Sequence, residues 1–102
     1  MRMILFVTFP TRKFNALMRE GQVGPRIGRI LEDAKPEAAY FGISRGGQRT
    51  GVIVVDIASQ ADLPALTEPW YLAFEAEVET HPAMSAQEIA ALDLDGLAKK
   101  YG

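Results

Sequence analysis

The order of its hydrophobic runs constrains this chain more than any other feature. An apolar run at residues 3–9 is followed by a helical stretch at 11–35. Two further runs, at 38–44 and 51–58, flank a glycine-rich turn. A short helical stretch and a last alternating run at 72–80 complete a β-α-β-β-α-β pattern. This pattern predicts an α+β fold: one antiparallel sheet carrying its helices on one face. The other face of such a sheet has to be covered by something else.

Local signals place the elements. Met3 to Phe9 is nearly continuously apolar, which predicts a central strand buried on both faces. Pro10 ends it, and Thr11 is a helix cap. Phe14, Leu17 and Met18 share one helical face, as do Ile27, Ile30 and Leu31. Gly21, Gly24 and Pro25 lie between these groups, with Pro25 suited to open a second helix. The spacing therefore predicts two helices, or one strongly kinked helix. Gly46 and Gly47 supply the positive φ angles of a tight hairpin turn. Val52 to Val55 is β-branched throughout and reads as the second central strand. Pro64 and Pro69 predict a short or irregular second helical layer. Over 72–80, Leu72, Phe74, Ala76 and Val78 point one way, while Ala73, Glu75, Glu77, Glu79 and His81 point the other. Ser85 and Glu88 form a capping box for a tail helix, and Asp95 caps its final turn.

A chain of 102 residues is expected to form one domain, with a core over about 3–81 and a helical tail at 85–102. No apolar run approaches the roughly 20 residues that span a bilayer. The seven-residue run at the N-terminus has no small-residue cleavage site and reads as a strand rather than a secretory signal. The absence of cysteine rules out disulfides, thiolate metal sites and cysteine catalysis, and fits a cytoplasmic location. The net charge of -2 conceals an asymmetry. Residues 1–50 hold nine basic and four acidic residues; residues 51–102 hold two basic and nine acidic ones. The halves either neutralise each other, within the fold or across a dimer, or present a basic patch to an anionic partner. The net acidic balance argues against general nucleic-acid binding.

Three stretches resemble a family of small bacterial proteins of uncharacterised function: Gly24-Pro-Arg-Ile-Gly-Arg-Ile30, Lys35-Pro-Glu-Ala-Ala-Tyr40, and Glu68-Pro-Trp-Tyr71 with the run up to His81-Pro-Ala-Met84. That family looks like part of the ferredoxin-like superfamily whose members pair into dimeric α/β barrels. The resemblance implies a four-stranded antiparallel sheet in the order 4-1-3-2, with helices on one face and a homodimer that covers the other. Ligands in such dimers usually lie at the helix-free face. Enzymes of the wider superfamily include cofactor-independent monooxygenases, muconolactone isomerases and haem-handling proteins. Their catalytic residues match no motif here, and none is carried over.

The sharpest candidate chemistry is the row Glu75, Glu77 and Glu79, with successive side chains about 7 Å apart on one face of a strand. Asp56 joins that face by parity with Val52 and Val54. Clustered carboxylates serve acid–base chemistry or a hard cation. They equally serve as a solvated edge, or pair with Arg45, Arg49 or Arg2. His81, the only histidine, is a proton shuttle, a metal ligand or a structural residue at the strand's end. It is expected at the opposite end of the sheet from Asp56. Tyr40, Trp70 and Phe6 are candidate pocket walls, with core packing as their other use. The segment from Ser44 to Gly51 matches neither a P-loop nor a dinucleotide fingerprint. The expected function is a small-ligand-binding or interaction module at the inter-sheet cavity of a homodimer. The alternative is a cofactor-independent acid–base enzyme acting on a small molecule, aromatic ones included, with Glu75 or Glu77 as base and His81 or Tyr40 as hydrogen-bond partner. No cofactor, metal, nucleic acid or membrane is expected.

Overall fold

In the computed structural model, which describes residues 1–102 with the side chain of Ile43 excepted, the first apolar run becomes β1 (Arg2–Thr8). Its side chains alternate: Met3, Leu5 and Val7 are buried, while Arg2, Ile4, Phe6 and Thr8 are half-buried. A strand covered on both faces was the expectation from so apolar a run. Only one face is covered by this chain. The helical stretch is two helices, α1 (Thr11–Arg19) and α2 (Val23–Ala34), with Gly21 between them at φ 69°. Pro10, not Thr11, precedes the first helical residue, and Pro25 is the third residue of α2 rather than its first. The helix α2 ends on Lys35 in the left-handed region, and Pro36 cannot continue it.

The hairpin pairs β2 (Ala38–Arg45) with β3 (Gln48–Asp56) through Gly46 and Gly47, at φ 60° and 80°. Both values suit a two-residue turn matched to strand twist. A 3-10 turn over Gln60–Asp62 carries a capping box between Ser59 and Asp62, and leads into α3 (Leu63–Phe74). The last strand is β4 (Glu77–Pro82). The sheet has four strands in the order β2-β3-β1-β4, and every pairing is antiparallel. The two most apolar strands, β1 and β3, lie in the middle.

The core lies between the sheet and the helices. Leu5, Val7 and Phe9 meet Ile53, Val55 and Ile57 from β3 and its exit, with Leu17, Ile30, Trp70 and Phe74 above them. Aromatic packing dominates its centre. Phe9 meets Phe74 edge-on at 5.0 Å between centroids and Trp70 at 6.0 Å, while Trp70 and Phe74 stack at 6.0 Å.

One boundary differs from expectation in a way that matters for the site. Leu72, Ala73 and Phe74 are the last turn of α3, not the first residues of a strand. Pro69 sits inside this helix, which runs 12 residues and is neither short nor broken. Glu75 closes it in the left-handed conformation at φ 54°, its N–H bonded to the Tyr71 carbonyl. The tail is likewise two helices, α4 (Ala86–Ala90) and α5 (Leu94–Tyr101). Ser85 and Glu88 cap α4 reciprocally, and the α5 cap is Asp93, which accepts from the Gly96 N–H, rather than Asp95. The radius of gyration is 16.9 Å, and the longest dimension is 58 Å against 29 and 19 Å for the others. A compact chain of this length has a radius near 13 Å.

Candidate functional site at the helix-free sheet face

Register decides what shares the helix-free face, because residues directly opposite in an antiparallel sheet project to the same side. One row crosses all four strands: Tyr40, Val52, Phe6 and Glu79. The next row is Ala38, Val54, Ile4 and His81. Thr8 and Glu77 are paired above, and Arg2 and Asp56 below. Ile4, Phe6, Val52 and Val54 thus form an apolar floor, half-buried, with Tyr40 at one edge and carboxylates with a histidine at the other. Tyr40 is 63% exposed.

At the carboxylate edge four side chains meet. The Arg45 guanidinium lies 4.7 Å from the Phe6 ring centroid and donates from Nη2 to Glu79 Oε2 at 3.2 Å. His81 Nε2 lies 3.4 Å from the same oxygen, and its ring meets Phe6 edge-on at 5.5 Å. The hydrogen bond to His81 and the charge of Arg45 hold the Glu79 carboxyl below its ordinary value. The other arginine of the hairpin goes to the helix side, where Arg49 donates to Asn15 at 2.9 Å and lies over Phe14.

A depressed carboxyl pKa stabilises the folded state above the unfolded-state value, here near 4.5, and that contribution is lost as pH falls through the lower folded value. Glu79 is solvent-exposed, so the effect is small. In Glu79→Gln, the melting-temperature deficit relative to the unaltered protein is expected at pH 6–7 and is expected to close by about pH 3. A deficit that persists unchanged at acid pH would show that Glu79 acts through packing and not charge.

The expected site residues divide. Glu77, His81, Phe6 and Tyr40 belong to the helix-free face. Glu75 does not: as the left-handed cap of α3 it lies outside the strand, so the row of three glutamates shrinks to Glu77 and Glu79. Trp70 does not line this face either; it is 1% exposed within the core. Asp56 has the expected parity, but its carboxylate holds the Met1 ammonium at 2.8 Å, which lowers its pKa. It also lies at the same end of the sheet as His81, since β3 runs antiparallel to β1 and ends beside the β1 start. The central strand β1 separates the two residues. The residues that sequence reasoning left out of the site are Ile4, Val52 and Val54, the floor; of the three arginines weighed as partners of the glutamates, Arg45 is the one that reaches Glu79. Strand parity was the available signal for the floor.

Among the described residues, no group of three His, Cys, Asp or Glu side chains is placed to hold a metal ion. No helix is long and apolar enough to cross a membrane. No curated protein matches the chain. The family described as a domain of unknown function, DUF3303, matches residues 12–96, the span from the start of α1 through α5's first residues. That span covers most of the chain and all but one strand of the sheet, and the chain belongs to this family.

Proposed function

We propose that this protein is a homodimeric small-ligand-binding or interaction module of ferredoxin-like architecture. Two helix-free sheet faces meet across a cavity, as in a dimeric α/β barrel, with the sheet and helices acting as a single domain and the tail as an addition. The observation that carries this reading is the floor of Ile4, Phe6, Val52 and Val54, which the chain's own helices leave uncovered. Apolar sheet faces tend to be covered in stable proteins, because leaving them in water forfeits about 25 cal/mol per Å². The aromatic groups Phe6 and Tyr40 beside Arg45 suit a small planar molecule carrying an acid group, held between the sheets. A cytoplasmic setting fits a chain without cysteine.

Support for acid–base catalysis is weaker. Glu77 and Glu79 are both solvent-exposed, and Glu79 is held below its ordinary carboxyl value, whereas a carboxylate base working near neutral pH needs burial that raises its pKa. Glu75 lies outside the strand.

A thermal-shift panel of aromatic acids, short aliphatic acids, haem, flavin and divalent cations tests the ligand reading. A ligand that binds only the folded state stabilises it by about 2.7 kcal/mol at a hundred times its Kd. An upward shift with small aromatic acids that is reduced in Arg45→Ala is the expected result. A shift with none of the panel, or one indifferent to Arg45→Ala, would overturn the assignment of the ligand to this face.

A further inference from the structure

The tail poses a separate problem. An isolated helix shorter than about 12–15 residues is marginal in water, and α5 has eight. It nevertheless carries a side-chain cap at Asp93 and an apolar stripe of Leu94, Leu97 and Tyr101, at i, i+3 and i+7. All three side chains are at least half exposed, so the stripe is not spent on this chain's own core. The attachment to the body is narrow: Arg2 pairs with Glu88 at 2.6 Å, and the Ala83 N–H bonds to the Arg2 carbonyl. The 58 Å long axis is twice the next dimension.

The body has a groove to match. It lies between α2 and α3, has a volume of about 680 Å³, and is lined mainly by apolar atoms. Pro25, Ile30 and Leu72 contribute to it, and Leu72 is 79% exposed. Arg26 and Asp33 both rise from α2 into the groove, seven residues apart, or about 10.5 Å along a helix, and the Arg26 guanidinium spans it to donate from Nη1 to the Ala73 carbonyl of α3 at 2.6 Å. The arm repeats that spacing with opposite charges. Asp93 and Lys100 are also seven residues apart, and both flank the stripe on the same side at 100° per residue.

We infer that α5 of one copy docks in the α2–α3 groove of a second copy, parallel to α2, with Asp93 opposite Arg26, Leu97 against Ile30 and Leu72, and Lys100 opposite Asp33. The exchange rests on the dimer reading above and adds a reciprocal clasp to it. A symmetric pair exchanges both arms at once, since a two-fold interface presents the same patches on both copies. A helix laid into an apolar groove by anchors one and two turns apart is a recurrent mode of recognition.

Because the chain has no cysteine, single cysteines report the geometry directly. Leu72→Cys and Leu97→Cys chains, purified separately, are mixed and oxidised mildly. A disulfide between the two different chains is the expected product, and each chain alone gives little. The double variant is expected to give a covalent dimer and not an internally bridged monomer. An internally bridged monomer, or no bridge in either format, overturns the exchange. Light scattering on the unaltered protein separates the two readings: a dimer without a cross-link refutes the clasp and leaves the sheet-face dimer standing, while a monomer refutes both. Charge reversal is the second test. Asp33→Lys and Lys100→Asp are each expected to lower the yield of the cross-link about tenfold, and the double reversal to restore it. No restoration overturns the proposed register.

Discussion

Phe74→Ala is expected to destabilise the protein by about 3–5 kcal/mol, the usual cost of removing a buried phenylalanine ring. Phe74 is fully buried, stacks on Trp70, and meets Phe9 edge-on at 5.0 Å and Phe14 at 6.2 Å between centroids. Its removal takes apolar area out of burial and leaves a void that its neighbours cannot close. Three of those neighbours are themselves large rings whose positions fix one another. Against a total stability of about 5–15 kcal/mol for a domain of this size, such a loss is roughly a fifth or more. Trp70 is the only tryptophan in the chain and lies in the same cluster, so its fluorescence follows unfolding in urea without added labels. A midpoint lowered with an unchanged slope is the expected curve. A loss under about 1 kcal/mol would mean that the aromatic cluster is not the centre of the core.

The same residue shows where the sequence was legible and where it was not. The apolar alternation of Leu72, Phe74, Ala76 and Val78 reads as a strand, and only Val78 of these four belongs to one. Trp70 and Phe74, four apart, carry the competing helical signal, and a short apolar run fits both periods. The helix ends without a glycine: Glu75 adopts the left-handed cap, a conformation that its side chain does not announce. Pro69 pointed the same wrong way, since prolines usually stop a helix and this one is accommodated within it. The strand reading had put Glu75 on the site; the structure removes it and leaves Glu77, Glu79 and His81. Elsewhere the signals agreed with each other and with the fold. The paired glycines of the hairpin, the Ser85–Glu88 box and the break between α1 and α2 all rest on local backbone chemistry, which sequence carries directly. Trp70 was harder to place. An aromatic ring suits a core and a pocket wall equally, and only the packing of α3 on the sheet decides between them. The apolar character of Val52 and Val54 was plain in the sequence, but not its meaning. A strand buried on both faces and a strand waiting for a second copy have the same composition.

That ambiguity sets the last prediction. Val52→Asp is expected to raise the dimer dissociation constant by about two orders of magnitude or more while leaving the fold intact. Val52 is the middle of the row that crosses the sheet, between Tyr40 and Phe6, and it projects away from the helices. In a single copy its side chain is half-buried, so a carboxylate there keeps access to water and costs the monomer little. In a face-to-face pair the same carboxylate is enclosed against a second apolar floor, and twofold symmetry brings a like charge to the same interface. Truncating or charging a residue at the centre of an interface typically costs 2–4 kcal/mol or more, a factor of about 30 to 1,000 in affinity. The contrast is with Ile53→Asp, one residue along and facing the core, which is 1% exposed and is expected to unfold the protein. Sedimentation velocity across a concentration series, alongside far-UV circular dichroism, separates the outcomes. A folded Val52→Asp monomer beside an unfolded Ile53→Asp would confirm that one face of the sheet is held by the helices and the other by a second copy. A Val52→Asp protein that remains dimeric at the same concentrations would mean that this face is not the interface, and that the copies meet elsewhere.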